Sequence, residues 1–442
     1  MIKNYLILAL KVLRRRPFYT FVSLFGISLT LAVLMLVTSL GDALFGSNPP
    51  LTDGDRITYL IQHDRIRMNY DTIHTVDTIA MDDGSTRIDS SYTLEEGGQN
   101  NASGSVSFHL LDQNLRQLDK IESYTFFSPY TNLNAFTDNG RIGLLAYHVD
   151  EGYFDVFDHR PLYGEVLNSA DVSGANQVVV MTDRAARDYF GELSDDLIGR
   201  ELTVGDRTYR LKGIVPKPRS FGRGTLGDIY LPYTLLPAHV LGSREIYGSF
   251  TAAFKSTTTD NRPQVEDQLA AIAGAYDMSA DPDYDILKFH TGTGTDVLTR
   301  EIVATNDKQK GRLLFFIPLA ILLVLFLVLP LLNLINLGVS RMSERQSEIG
   351  VRKAFGAGRG EILWQFVFEN IVLTFIGGMI GMVLAVLLIF YLNENNTLGF
   401  VGLTLSWRTF LYFFLIILLF GVLSGLVPAY RMSRMNIANA LR

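Results

Sequence analysis

The 442-residue sequence contains no cysteine, and its seven histidines all fall between His63 and His290. Without thiols the chain forms neither a disulfide framework nor a thiolate metal site. The histidines lack metal-ligand spacing, which favours surface positions or satisfied core positions for them. The sequence also lacks any Gly-Lys dipeptide, and with it the Walker A phosphate loop. We therefore expect a non-catalytic chain that binds no metal and no cofactor of its own.

Charge is missing from four long apolar stretches, each close to the length of about 20 residues that spans a bilayer. They are Phe18–Leu40, Leu313–Ser340, Ile371–Leu392 and Thr409–Tyr430. The first is too long for the apolar region of a signal peptide, about 7–15 residues, and no A-x-A site follows it, so we interpret it as an uncleaved anchor. The pattern predicts a multi-pass α-helical membrane protein with four transmembrane helices.

The charges are unevenly distributed between the apolar and the polar parts of the chain. Residues 44–311 contain 39 acidic and 24 basic residues, whereas the remaining residues contain 6 acidic and 15 basic ones. Lysine and arginine next to spans mark the cytoplasmic side of a membrane. Basic clusters precede the first span, separate the second from the third and follow the fourth. Both termini are therefore predicted to be cytoplasmic, the acidic block to lie outside, and nucleic acid to be no partner.

The acidic block has the sequence signals of a large mixed α/β domain inserted between helices 1 and 2. Runs of β-branched residues predict strands, and capping residues such as Thr182 and Asp183 predict helix starts. The segment 97–107, low in complexity, is predicted to be a mobile loop. The predicted elements are a strand at Asn176–Met181, a helix at Thr182–Phe190, a hairpin around Gly205-Asp206, a strand at Asp228–Tyr233 and a helix at Gln264–Ala275.

Small residues recur every fourth position in the last two spans. This spacing lets helix backbones approach closely, within one chain or across a dimer, although chance in glycine-tolerant membrane helices gives the same pattern. The candidate helix-packing residues are Gly377, Gly381 and Ala385 in the third span, and Gly421, Gly425 and Ala429 in the fourth.

The segment Arg341–Ile362 lies between two spans, yet it is highly charged and helical in pattern. Ser343 is a candidate cap, Glu348 and Arg352 form a favourable i,i+4 pair, and Gly356 ends the pattern. A short amphipathic helix on the cytoplasmic surface suits docking to a soluble partner. On chemistry alone, a solvated charged loop is an equal alternative.

The sequence from Ser343 to Ala357, SERQSEIGVRKAFGA, resembles the cytoplasmic loop of MacB/FtsX-type ABC transporter permeases. The ending from Pro428 to Arg442 is similar to the C-terminus of that family, with Met432 where the family usually has a small residue. Short pieces of the acidic block, such as Leu231-Pro232-Tyr233, resemble the MacB periplasmic core domain. The opening resembles permeases of this type from Bacteroidota, whereas residues 51–145 match little.

The resemblance implies a permease of the bacterial inner membrane with no fused ATPase. Two permease copies, or this chain and a paralogue, would form a dimer above separate cytoplasmic ABC ATPase subunits, which hold ATP and Mg²⁺. ATP-driven closure would move the periplasmic domains through stalk helices, here Thr299–Arg312, in a mechanism called mechanotransmission. The implied ATPase-coupling residues are Ser343, Glu344, Arg345, Glu348, Ile349, Gly350, Val351, Arg352, Lys353, Ala354 and Gly356.

Nine segments follow from these expectations. They are a cytoplasmic amphipathic helix (1–17), a first span (18–40), a periplasmic core domain with its stalk (41–311), a second span (312–340), a coupling helix (341–362), a third span (363–392), a short periplasmic loop (393–408), a fourth span (409–430) and a cytoplasmic tail (431–442).

Three functions remain open from the sequence. One is export from the periplasm of a peptide, an amphiphile or a lipoprotein. Its further partners would be a periplasmic adaptor, an outer-membrane channel and membrane lipid. Another is an FtsX-like regulatory complex that activates a cell-wall hydrolase. The third is a membrane-anchored receptor or assembly factor without an ATPase. The charged loop argues against the third, and the size of the outer domain favours export.

Overall fold

The computed structural model describes residues 17–46, 51–81, 86–137, 140–218, 224–343, 350–351, 355–356, 358–395, 402–403 and 407–433. Contacts divide the chain into two compact units. The helical unit contains the described residues within 1–46 and 312–442, and the sheet unit those within 47–218 and 222–311. Residues 1–16 of the first predicted segment (1–17) and residues 434–442 of the tail lie outside the described residues.

Four long helices dominate the helical unit. They are α1 (Pro17–Phe45), α9 (Lys308–Ser343, of which residues 308–311 belong to the sheet unit), α10 (Arg359–Glu394) and α11 (Trp407–Ser433). Within the described residues, three helical stretches are long and apolar enough to cross a membrane: Thr20–Phe45, Lys308–Phe326 and Gly360–Glu394. A shorter apolar stretch, Thr409–Leu423, lies in α11. Each of the four apolar stretches seen in the sequence lies within one of these helices.

The helical unit has its own apolar core, formed where α1, α10 and α11 pack together. Ile27, Leu31 and Met35 recur at helical spacing along one face of α1 and are buried. Leu373 from α10 and Phe413 from α11 belong to the same cluster. The opposite faces expose large apolar side chains, which is the arrangement expected of helices in lipid.

The sheet unit is built on twelve strands in one mixed sheet. The strands are β1 (Ile57–Ala80), β2 (Thr86–Gly104), β3 (Ile121–Phe127), β4 (Thr131–Thr137), β5 (Gly140–Val149), β6 (Tyr163–Gly164), β7 (Val178–Thr182), β8 (Glu201–Val204), β9 (Arg207–Val215), β10 (Ile229–Pro232), β11 (Thr251–Ser256) and β12 (Ile286–Gly292). Their order is β10-β7-β9-β8-β4-β5-β3-β11-β1-β12, with β2 on β1 and β6 on β9. The pairs β7–β9 and β10–β5 are parallel.

Among the described residues, six α-helices lie between these strands and a seventh follows the last strand. They are α2 (Phe108–Asn114), α3 (Tyr153–Val156), α4 (Ser169–Ser173), α5 (Asp183–Phe190), α6 (Ala238–Leu241), α7 (Arg262–Gly274) and α8 (Gly294–Val303). Large aromatic side chains fill the space between sheet and helices, and Tyr59, Phe127, Tyr153 and Tyr230 are fully buried. The unit therefore has the mixed α/β character that the sequence predicts.

Local sequence patterns correctly predicted the elements that begin or end at a capping residue or a turn glycine. Thr182 caps α5, since its hydroxyl accepts a hydrogen bond from the Ala185 amide at 3.2 Å. The turn at Gly205-Asp206 joins β8 to β9, and the φ of +61° at Gly205 suits a residue without a Cβ. The predictions of the strand before Thr182, of this hairpin, of β10 and of α7 are confirmed.

The prediction of a mobile loop at residues 97–107 is wrong. Gly97–Gly104 belongs to β2, which pairs with β1 along its whole length, from His63↔Gly104 to Ala80↔Thr86. Only β1 residues up to Ile66 also pair with β12, so residues 67–80 and 86–100 form a two-stranded ribbon. Backbone hydrogen bonds to a long neighbouring strand hold this polar, glycine-rich segment, and composition alone does not reveal such pairing.

The segment predicted as a stalk, Thr299–Arg312, is divided between two helices. α8 ends at Val303, where Ala304 adopts a left-handed conformation with φ of +54°, and α9 begins at Lys308. Asp307 caps the new helix, because its Oδ1 accepts hydrogen bonds from the amides of Gln309 and Lys310. The sequence prediction missed this break because the segment contains neither proline nor glycine before Gly311.

Candidate functional site

Much of the predicted coupling segment falls outside the described residues. This holds for Glu344, Arg345, Glu348, Ile349, Arg352, Lys353 and Ala354. Of the rest, Ser343 is the last residue of α9, Gly350 is buried and Val351 is exposed. The coupling role of the set is not tested by these positions and stays a prediction.

The C-terminal end of the coupling segment is an apolar, exposed turn. Phe355 donates its amide to the Val351 carbonyl at 3.1 Å, as in a helical turn, and its side chain is 89% exposed. Gly356 follows with φ of +92°, which reverses the chain. The Glu361 carboxylate then accepts a hydrogen bond from the Gly358 amide at 3.2 Å and caps α10. The chain thus presents a phenylalanine beside a capped helix start.

The first glycine row lies where α10 meets α1. A Cβ added at Gly381 would lie 2.6 Å from the carbonyl oxygen of Ser28, and one at Gly377 would lie 2.6 Å from Cγ2 of Ile27. Ala385, at the end of the row, is fully buried. Contacts this short leave no room for a side chain, so the structure places this row against a helix of the same chain.

The second glycine row lies where α11 meets α10. A Cβ added at Gly421 would lie 3.0 Å from the Cα of Ile371, and one at Gly425 would lie 3.0 Å from the Cα of Val367. The side chain of Ala429 lies outside the described part of the structure. The row brings two backbones together within the helical unit.

A polar pair in α10 escaped the sequence analysis. Glu369 and Asn370 are both buried, just before the uncharged stretch that begins at Ile371. The Asn370 amide donates to the Phe366 carbonyl at 3.1 Å, and its Cβ lies beside Gly425. Buried polar side chains in apolar helices are costly and often have a functional role. The sequence signal was available, as an acid followed by an amide inside a helical pattern.

In the sheet unit, a polar cluster joins the sheet to the segment that precedes α9. Asp64 of β1 accepts a hydrogen bond from the Ser103 hydroxyl of β2 at 2.5 Å. Its Oδ2 lies 2.7 Å from Nε2 of His290 on β12, and the Asn306 amide donates to its Oδ1 at 3.3 Å. Burial favours the neutral acid, but the bonds from Ser103 and His290 outweigh it and hold the pKa of Asp64 below its usual value.

Two buried histidines of the sheet unit lack hydrogen bonds among the described residues. Both ring nitrogens of His63 and of His159 are without a partner there. Burial lowers the pKa of His63 to about 4 and that of His159 to about 3, so both are neutral at pH 7. The expectation of surface or satisfied core histidines is therefore wrong for these two. Among the described residues, no three His, Asp or Glu side chains are grouped as metal ligands.

Comparison with known proteins matches the chain to two family models. The MacB-like periplasmic core domain family matches residues 20–272, and the FtsX-like permease C-terminal family matches residues 320–437. The macrolide export ATP-binding/permease protein MacB of Escherichia coli K12 is 27% identical over 314 residues, which cover 70% of this chain. The match covers 45% of MacB, so the chain spans about half the length of the curated relatives it matches.

Two solved structures resemble the chain more distantly. The periplasmic region of MacB from Actinobacillus actinomycetemcomitans is 21% identical, with a TM-score of 0.34, and the match covers 45% of this chain and 85% of that one. A domain of a Porphyromonas gingivalis permease is 14% identical, with a TM-score of 0.37, and the match covers 55% and 91%.

The helices and the sheet unit thus define the chain as a membrane protein with a periplasmic domain. The chain belongs to the MacB/FtsX family of ABC transporter permeases.

Proposed function

We propose that this chain is the permease subunit of an ABC transporter that couples ATP hydrolysis by a cytoplasmic ATPase to motion of its periplasmic domain. Family membership is the observation that carries the proposal, since both matched regions are parts of such permeases. The sequence holds no phosphate loop, so within this proposal ATP and Mg²⁺ belong to the ATPase. The chain itself acts as a non-catalytic subunit.

The proposed placement has four spans in the bacterial inner membrane and both termini in the cytoplasm. The basic residues beside the spans and the acidic excess of residues 44–311 support this orientation. The fourth span corresponds to α11, Trp407–Ser433. In this orientation the coupling segment, residues 341–362, faces the ATPase.

Export is the function that we favour for the complex. MacB of Escherichia coli is described as a macrolide export protein, and the two proteins share a region that covers most of this chain. By analogy, the cargo is an amphiphile, a peptide or a lipoprotein taken from the periplasm. A second permease copy or a paralogue completes the dimer, with a periplasmic adaptor and an outer-membrane channel beyond it.

Orientation is the part of this proposal to test first, because a coupling segment outside the cytoplasm could not meet an ATPase. A reporter that is active only in the periplasm is fused after Ser107, after Ser243 or after Arg359. We expect activity at Ser107 and Ser243 and silence at Arg359. Activity of the Arg359 fusion would contradict the proposed placement.

A further inference from the structure

Two adjacent cavities lie in the sheet unit beside the segment that joins α8 to α9. The larger has a volume of about 490 Å³ and the smaller one of about 230 Å³. Arg300, His290 and Asn306 line both. One wall is the edge of the sheet formed by β1, β2 and β12, and the other is the connecting segment with the start of α9.

Arg300 is a buried cation that lines both cavities and makes no ion pair among the described residues, although the charges of Asp296 and Glu266 act on it and partly offset the lowering of its pKa by burial. Its side chain belongs to α8, and the residue is 8% exposed. Within the described part of the chain, the one hydrogen bond of this side chain runs from Nε to the Asp296 carbonyl at 3.3 Å. The two terminal nitrogens of the fork are therefore available for a ligand.

The carboxylates in the cavity walls are occupied or exposed to solvent. Asp64 is held by Ser103, His290 and Asn306, as described above. Asp307 caps the start of α9, and Glu301 is exposed.

The lysines in the cavity walls differ in their partners. Lys308 is paired with Glu266 at 2.8 Å. Lys288 has no ion pair among the residues that the structure describes. Two positive charges, Arg300 and Lys288, thus line the larger cavity without an ion pair among the described residues, and Lys288 is close enough to Asp307 to lower the pKa of that carboxyl group.

We propose that the larger cavity binds an oxyanion of the phosphate class, held by the Arg300 guanidinium with Lys288 as a second positive charge. A guanidinium presents two parallel N–H donors that match the oxygens of a phosphate group. The amides of Gln99 and Asn101 and the hydroxyl of Thr291 line the same cavity as further donors. Burial lowers the pKa of Arg300 by more than the charges of Asp296 and Glu266 raise it, and a bound anion offsets the remaining cost of burying the charge.

The anion is either free phosphate or the phosphate of a lipid headgroup, since both present the same oxygens. The cavity is larger than a bare phosphate ion, and Ile66 and Phe289 contribute apolar wall to it. This binding site goes beyond the proposed transport function and does not depend on it.

The test uses the full chain, purified in an uncharged detergent without phosphate. Binding of inorganic phosphate is measured by isothermal titration at constant ionic strength, and binding to phosphatidylglycerol vesicles is compared with binding to phosphatidylcholine vesicles. Arg300→Gln removes the fork, Arg300→Lys keeps the charge alone, and Lys288→Gln removes the second charge. Lys310→Gln, at an exposed lysine outside the cavity wall, is the matched control.

We expect saturable binding of phosphate or of the phosphatidylglycerol vesicles by the unchanged chain and by Lys310→Gln. Arg300→Gln should weaken it by about tenfold or more, the usual effect of losing a charged hydrogen bond, and Lys288→Gln and Arg300→Lys should weaken it measurably. Lys288 is exposed, so Lys288→Gln should fold normally. Its phosphate affinity therefore tests the proposal even if Arg300→Gln does not fold. The proposal is overturned if neither probe binds saturably, or if Lys288→Gln binds as tightly as Lys310→Gln.

Discussion

At the scale of single residues, the stability of the sheet unit varies with pH through two buried groups, a histidine and an aspartate, whose effects are opposite. His159 stacks on Tyr153 with ring centroids 5.6 Å apart, and burial lowers its pKa to about 3. Asp150 accepts hydrogen bonds from Thr125 at 2.6 Å and from the Phe126 amide at 2.7 Å, yet burial raises its pKa to about 7. The contribution of the histidine to the free energy of unfolding is lost in acid, whereas the contribution of the aspartate is lost as the pH rises toward 7.

His159 should make the sheet unit sensitive to acid. The unfolded chain binds the proton near pH 6.5 and the folded chain only near pH 3, so the contribution of this group is lost as the pH falls through that window. Between pH 7 and pH 5 the loss amounts to roughly 2 kcal/mol for one such histidine. Asp150 acts in the opposite direction over the same range, but it does so equally in both chains. We therefore expect the change in thermal stability from pH 7 to pH 5 to be more favourable for His159→Phe than for the unchanged chain by about this amount.

The control for this experiment is His239→Phe, at an exposed histidine. Absolute stability differs between variants because phenylalanine is larger, so the slope with pH is the quantity compared. Equal slopes for His159→Phe and the unchanged chain would show that His159 is not the acid-sensitive group.

At the scale of elements, two rows of small residues allow the helix backbones to pack closely, α10 against α1 and α11 against α10. Gly381→Leu should destabilise the contact of α10 with α1, because its Cβ alone would lie 2.6 Å from the Ser28 carbonyl oxygen. Overpacking of this kind typically costs about 1–3 kcal/mol. We expect a lower folded yield in detergent and a lower melting temperature, and the same for Gly425→Leu.

Gly26 of α1 supplies the matched control, since nothing lies within 4 Å of a Cβ added there. Gly26→Leu should leave yield and melting temperature close to those of the unchanged chain. If Gly381→Leu and Gly26→Leu behave alike, the first row is not a packing face.

The ribbon of residues 67–80 and 86–100 is the element that the sequence analysis missed. In the antiparallel register, directly paired residues share a face, and one face carries Tyr70, Val76, Ile88, Tyr92 and Leu94. All five are exposed, so the ribbon contributes little to the core. We expect Tyr92→Ala to change the free energy of unfolding by no more than about 0.5 kcal/mol, which is typical of exposed positions.

Phe254→Ala is the contrasting substitution, because Phe254 is fully buried on β11 and its loss should cost about 3–5 kcal/mol. Thermal melts of the two variants in the same detergent measure the difference. A large loss of stability for Tyr92→Ala would show that the ribbon packs against the rest of the protein.

Sequence reasoning succeeded at strong local signals and failed at long-range ones. Some features depend on a few neighbouring residues and were therefore predictable from the sequence. They are the cap at Thr182, the turn at Gly205 and the apolar stretches. The pairing of β2 with β1 and the left-handed Ala304 depend on tertiary contacts. The coupling residues rest on resemblance to a family.

At the scale of the whole molecule, the two family models match different parts of the chain. The periplasmic core domain match covers most of the sheet unit together with most of α1, and the FtsX-like region covers α10, α11 and most of α9. The coupling segment, residues 341–362, falls in the FtsX-like region between α9 and α10. In the proposed function, energy enters at this segment and leaves as motion of the sheet unit.

The most direct test of this account is charge reversal in the coupling segment. Glu348→Lys and Arg352→Glu are compared with the unchanged chain for membrane insertion, for co-purification of the ATPase and for transport. Breaking one partner of a buried charge pair costs about 2–5 kcal/mol, so we predict normal insertion with loss of ATPase recovery or of transport. If both variants retain the ATPase and transport normally, the segment does not couple the two proteins and the central claim is contradicted.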